Sequence, residues 1–216
     1  MNQINIPINK ADNDYIGHRI FLTMFVVIHL YICYNFTDAD LKSGGRKMLE
    51  TKDLILDKAK FSDWEDMYHN VWSQSESAKY MIWRVTTSES DAQKRILKVI
   101  EYQENHEEYL VYEKASGKPI GFAGIEEYAP HVYKDTGICL GPDYVGRGFG
   151  KQIVQCLIQY CKEELGANEF IYSTREENEA SNQLAKSMGF RMIDSEPKVD
   201  NRDGHHYNLV KYSVKL

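Results

Sequence analysis

The sequence predicts a mixed α/β domain on a single sheet, and three observations carry that prediction. Short apolar runs alternate with segments whose apolar residues recur at helical spacing, in the order strand, helix, strands, helix, strand, helix, strands. Over 216 residues, 43% hydrophobic, 12% aromatic and 27% charged content is globular, and it suffices for one good core. A glycine-rich turn, GPDYVGRGFGKQ at 141–152, joins a short strand directly to an amphipathic helix.

From Met48 each element has a local reason. Leu54 to Leu56 reads as a first strand. Ser62 is positioned to cap a helix carrying Trp64, Met67 and Val71 at helical spacing. The stretch 72–88 is irregular, and Ser88 or Ser90 caps a second helix with Ile96, Val99 and Ile100. Residues 108–114 form a strand, Gly117-Lys118-Pro119 turns the chain, and 120–128 returns as its hairpin partner. Thr136 to Leu140 feeds the glycine turn. The helix over 149–164 carries a stripe of Ile153, Leu157 and Tyr160, flanked by Val154, Ile158 and Cys161, and Gly166 stops it. A strand over 170–172, a helix over 178–188 ended by Gly189, and strands near 190–194 and 206–214 complete the sheet.

Residues 1–47 stand apart as an N-terminal extension. Within them 20–36 is an apolar run broken by Thr23, His29 and Asn35, at the lower limit of the roughly 20 residues that a membrane span needs. Its sparse basic start and lack of an A-x-A site fit a secretory signal poorly. The expectation is upstream sequence read in frame before a functional start at Met48. A membrane-associated segment and an ordered extension are the alternatives.

Gly146, Gly148 and Gly150 strip side chains from a strand-to-helix turn, so its backbone N–H groups can approach a ligand closely. The following helix N-terminus adds unsatisfied donors and partial positive charge, which suits a phosphate or pyrophosphate. A P-loop is excluded, because Val145 and Gln152 stand where it needs glycine and Ser or Thr. A dinucleotide fingerprint fails too: Lys151 replaces its third glycine, and no acidic residue ends a second strand about twenty residues on.

The turn V-G-R-G-F-G, Val145 to Gly150, resembles the Q/R-x-x-G-x-G/A turn of the GNAT superfamily of N-acetyltransferases, with Val145 in place of the leading Gln or Arg. NEASNQLAKSMGF at 178–190 is similar to the N-x-x-S-x-x-L-x-x-x-G-F segment of the branch that acetylates protein N-termini, ribosomal proteins included. METKDLILDKAKFSDWEDMY at 48–67 is similar to that branch's first strand and helix. The resemblance covers 48–216. It implies a mostly antiparallel sheet whose fourth and fifth strands, here 134–140 and 169–173, splay apart to admit pantetheine. It implies acetyl-CoA as co-substrate, paired with backbone groups of Ile138 and Leu140. Val145, Gly146, Arg147, Gly148, Phe149, Gly150 and Lys151 would cradle it, and Asn178 would hold it.

The chemistry follows from the reaction. An amine of pKa near 10 is neutral only about one part in a thousand at pH 7, which costs roughly 4 kcal/mol, so a base is needed. Asp200, in the polar loop 196–205, and Glu126 are the leading candidates, with Asp135 behind them. Only one of Glu126 and Glu127 can face the cleft. The resemblance gives Ser181 the role of acid toward the departing thiolate, because the tyrosine of many relatives is replaced here by Ala185. The resemblance implies a primary amine as acceptor, either a protein N-terminus or a small molecule, near Trp64, Trp72, Tyr80 and Trp83. A catalytically silent acyl-CoA sensor or interaction module is the alternative.

The net charge of −6 argues against nucleic acid and is compatible with a cationic amine. Cys33, Cys139, Cys156 and Cys161 show no CxxC spacing, so no metal or disulfide framework is expected and the cytoplasm is the expected compartment. No membrane partner is expected, and either a monomer or a homodimer is compatible with the sequence.

Overall fold

The structure, a computed structural model, describes residues 48–216, so the apolar run at 20–36 lies outside the described residues. Leu49–Glu50 (β1), Leu54–Asp57 (β2), Glu107–Glu113 (β3), Pro119–Ala129 (β4), Val132–Leu140 (β5), Glu169–Arg175 (β6), Arg191–Val199 (β7) and His206–Lys215 (β8) form an eight-stranded sheet in the order β1-β2-β3-β4-β5-β6-β8-β7. Every neighbouring pair is antiparallel except β5 and β6. β1 was not foreseen, so the strands expected as fourth and fifth are β5 and β6.

Helices cover both faces. Trp64–Met67 (α1), Ser75–Ala78 (α2) and Glu89–Gln103 (α3) belong to one side, and Phe149–Glu163 (α4) and Glu179–Ser187 (α5) to the other. Strand alternation explains the division. Leu110 packs with Met67, Trp72, Ala92 and Ile96, whereas its neighbours Tyr109 and Val111 join Ile153, Leu157 and Phe170.

Several local readings change. The 3-10 turn Phe61–Asp63 leads into α1, and the Asp63 carboxylate accepts the Lys60 N–H at 2.7 Å, so Ser62 is not the cap. A π-helical turn, Tyr68–Trp72, continues α1. The irregular stretch contains α2, and β7 takes up 196–199 of the expected loop. Ser88 does cap α3, accepting the Asp91 N–H at 3.2 Å.

Two features of β5 shape the site. Gly124 pairs with Gly137 while Ile125 pairs with Asp135, so Thr136 bulges out of the ladder and Gly137 takes φ of +136°. β5 pairs with β6 only through Val132–Glu169, Tyr133–Phe170 and Lys134–Ile171. Beyond those rungs β5 stays with β4 and β6 with β8, and the two strands part.

Candidate active site

The parted strands leave the β6-facing edge of β5 without a ladder partner beyond Lys134. Gly141 N–H donates to the Ile120 carbonyl at 2.8 Å, toward β4. Because backbone direction alternates along a strand, Leu140 and Ile138 then present their groups to the open edge. That edge runs into the turn. Gly146 and Gly148 both take φ of +79°, a region costly for any residue with a β-carbon, and Gly148 is the N-cap of α4. The first-turn amides of α4 have no intrahelical partner.

The side chains of the turn point elsewhere. Phe149 is buried in the core, and Val145 and Lys151 are exposed. The Arg147 guanidinium pairs with the Glu113 carboxylate at 2.6 Å and lies over the Phe149 ring at 4.6 Å. Gly150 serves packing, since a β-carbon there would lie 3.4 Å from Leu184 Cδ2. Gln152 fixes the helix start by accepting from Thr51 Oγ1 at 2.8 Å and donating to Asp53 at 2.8 Å.

At the vertex, Asp135 replaces the missing ladder. Its Oδ1 accepts the Ser173 N–H at 2.7 Å, from the strand that β5 has just left. Asp135 is buried, and desolvation pushes its pKa up to about 7 against the bonds that favour its anion. Next along β6, the Tyr172 hydroxyl lies 2.7 Å from Ser181 Oγ. Burial pushes Tyr172 up to about 12, so it stays protonated at neutral pH. Asn178 caps α5, accepting the Ser181 N–H at 3.3 Å. The buried Asn182 amide donates to the carbonyls of Arg175, Glu176 and Asn178 and holds the helix to β6.

The other two carboxylates lie apart. Glu126 pairs across the ladder with Lys134 at 2.9 Å and is half exposed. Alternation puts it on the opposite sheet face from Asp135, whose ladder partner is Ile125. Asp200 is buried, with Arg202 and Arg175 each at 2.6 Å. Arg202 first, then Arg175, hold its carboxyl far below the usual carboxylate range. A base must exchange its proton near the working pH. The two guanidiniums oppose that exchange at Asp200.

Sequence reasoning missed Tyr172, Arg175, Asn182 and Arg202, whose burial and cross-strand partners form only once the sheet is assembled. A buried tyrosine six residues before a helix N-cap carries no signal of its own. Among the aromatics expected near the acceptor, Trp72 is core. The Arg95 guanidinium lies over the Trp72 and Trp83 rings at 4.7 and 4.4 Å.

Comparison with known proteins agrees with this geometry. A family model described as the acetyltransferase (GNAT) domain matches residues 53–191, and the chain belongs to that family. It is accordingly an N-acetyltransferase, an acyltransferase by class. It is 27% identical over 144 residues to the uncharacterized N-acetyltransferase YnaD of Bacillus subtilis (strain 168), across 66% of this chain and 82% of that protein. A GNAT-family acetyltransferase from Bacillus anthracis shares the fold with a TM-score of 0.67 at 20% identity, covering 78% of this chain and 98% of that one. RimL, a ribosomal L7/L12 alpha-N-protein acetyltransferase in complex with coenzyme A, gives 0.66 at 18% identity, covering 79% and 98%. Among the described residues no helix is long and apolar enough to cross a membrane.

Proposed function

We propose that this chain moves an acetyl group from acetyl-CoA to a primary amine, foremost a protein N-terminus, by direct attack in a ternary complex. The observation that carries the reading is the open edge of β5, which runs from the Asp135 vertex to the Gly148 turn. An extended amide chain can add to such an edge through Ile138 and Leu140. Amides of the turn and of the α4 start suit a pyrophosphate. The protein-N-terminus preference rests on the NEASNQLAKSMGF segment and on the fold shared with RimL.

The residues divide the proton work. Asp135, with its pKa raised to about 7, takes the ammonium proton directly or through water. Ser181, backed by the Tyr172 hydroxyl, returns a proton to the departing sulfur. The outward N–H of Leu140 supplies a donor for charge developing on the carbonyl oxygen. Glu126, paired with Lys134 on the other face, is the alternative base. Acetyl-CoA supplies the activated acyl group.

The test is thiol release from acetyl-CoA by the full chain with serine-first peptides, spermidine and kanamycin. Release with peptides alone supports the N-terminus reading. Release with spermidine or kanamycin alone transfers it to a small-molecule amine.

A further inference from the structure

On the α1–α3 face, the parted arms of the cleft are bridged by the chain between α2 and α3. The helix α2 that leads into it touches β5: Ser77 Oγ donates to the Leu140 carbonyl at 3.4 Å. Met81 Cε lies 3.5 Å from where a Gly137 β-carbon would stand, over the bulge. The segment's further bonds reach across the gap. Arg175, the last residue of β6, donates to the carbonyls of Tyr80 at 3.1 Å and Met81 at 3.4 Å. Arg202, in the β7–β8 turn, donates to Ala78 at 2.7 Å, Trp83 at 3.0 Å and Lys79 at 3.3 Å. Both guanidiniums converge on the buried Asp200 carboxylate, and the Arg202 backbone N–H also donates to it at 2.9 Å. The Arg175 guanidinium stacks on the Tyr207 ring at 3.9 Å.

The segment is held by its carbonyls, which accept from two guanidiniums. Segment 78–83 forms no strand or long helix, so these bonds stand in for the ladder it lacks. The planar fork of each arginine fixes direction as well as distance. Asp200 orients both forks at once, so one carboxylate sets the height of Met81 over the bulge.

We propose that Asp200, Arg175 and Arg202 form a clasp that fixes segment 78–83 across the open strands and thereby shapes the acceptor entrance. They are positioning residues: they act through Met81 and the segment backbone, and they set the fit of the acceptor rather than the chemistry. The inference rests on reading the parted strands as the acetyl-CoA site. The carboxyl of Asp200, held far below the working pH, agrees with a permanently charged anchor.

The experiment compares the full-length chain with Asp200→Asn and Arg202→Lys. The first removes the anchoring charge; the second keeps the charge and loses the fork. Amide hydrogen exchange over 78–83 and coenzyme A affinity are measured first, since neither needs an acceptor. Steady-state kinetics follow, using whichever of the serine-first peptide, spermidine or kanamycin turns over fastest. The clasp predicts faster exchange over 78–83 and unchanged coenzyme A affinity. It also predicts an acceptor KM raised roughly 10- to 100-fold, with kcat and its pH limb retained. Unchanged exchange in both variants overturns the clasp, whether or not any amine is acetylated. A lost pH limb with unchanged KM also overturns it and makes Asp200 the base. Lost coenzyme A affinity in a folded Arg202→Lys variant counts against the underlying reading of the cleft. Should Asp200→Asn fail to fold, Arg202→Lys carries the same measurements.

Discussion

Burying Asp135 between the parting strands makes the folded chain bind its proton more tightly than the unfolded chain does. Its stabilising contribution is therefore complete below the unfolded pKa of 3.8 and disappears as pH rises to about 7. The loss is up to about 4 kcal/mol across that window. Asp135→Asn should flatten this part of the stability curve, as urea unfolding at pH 5 and pH 8 would reveal. In turnover the deprotonated form is the working one, so kcat/KM should climb through pH 7 and level off. The same variant should lower the plateau by about 10²- to 10⁴-fold and erase the limb. A preserved limb would overturn the assignment of Asp135 as base. Ser181→Ala should reduce kcat by up to about 100-fold with coenzyme A affinity intact; equal loss of affinity would make Ser181 a binding group only. Asp135 ranked last among the carboxylates in the sequence because β5 reads there only as the start of an apolar run. Its burial and its bond to Ser173 depend on a strand that joins the sheet after an intervening helix.

At the scale of elements, the turn into α4 rests on backbone geometry. A β-carbon at Gly148 meets no atom within 4 Å, so the cost of Gly148→Val comes from φ and from a side chain standing over the amides. The expected stability loss is about 1–2 kcal/mol, with coenzyme A affinity reduced at least about tenfold. Gly150→Ala, which only meets Leu184, is the control and should bind normally. Calorimetric titration with coenzyme A checks both, and normal binding by Gly148→Val would refute the cradle. Asn182→Ala leaves the carbonyls of Arg175, Glu176 and Asn178 short of a donor and should cost about 1–3 kcal/mol in urea unfolding. Ser88, Asn178 and Gly189 were legible as helix ends because caps are local bonds between near neighbours. Ser62 was misread because the Asp63 carboxylate reaches the Lys60 amide first. The last residues of β7 looked like loop because only pairing with β8 makes them strand.

Across the whole molecule, two cores on opposite faces hold the sheet rigid where β5 and β6 part. Leu157 is fully buried in the larger one, and Leu157→Ala should cost about 2–5 kcal/mol. The described residues 48–216 supply both cores, so a fragment spanning them should unfold in one cooperative transition by calorimetry. A fragment without such a transition would assign the first 47 residues to the fold. The sequence by itself determined the element order, the glycine turn, the helix stripes and the family resemblance. All of these are short-range patterns, in which spacing along the chain equals placement in space. Tertiary structure alone decided which carboxylate lies at the vertex, which tyrosine meets Ser181, and that Asp200 is clasped by two arginines. Those outcomes depend on burial and on partners brought together by strand order, so the environment of each group arises only when the sheet is assembled.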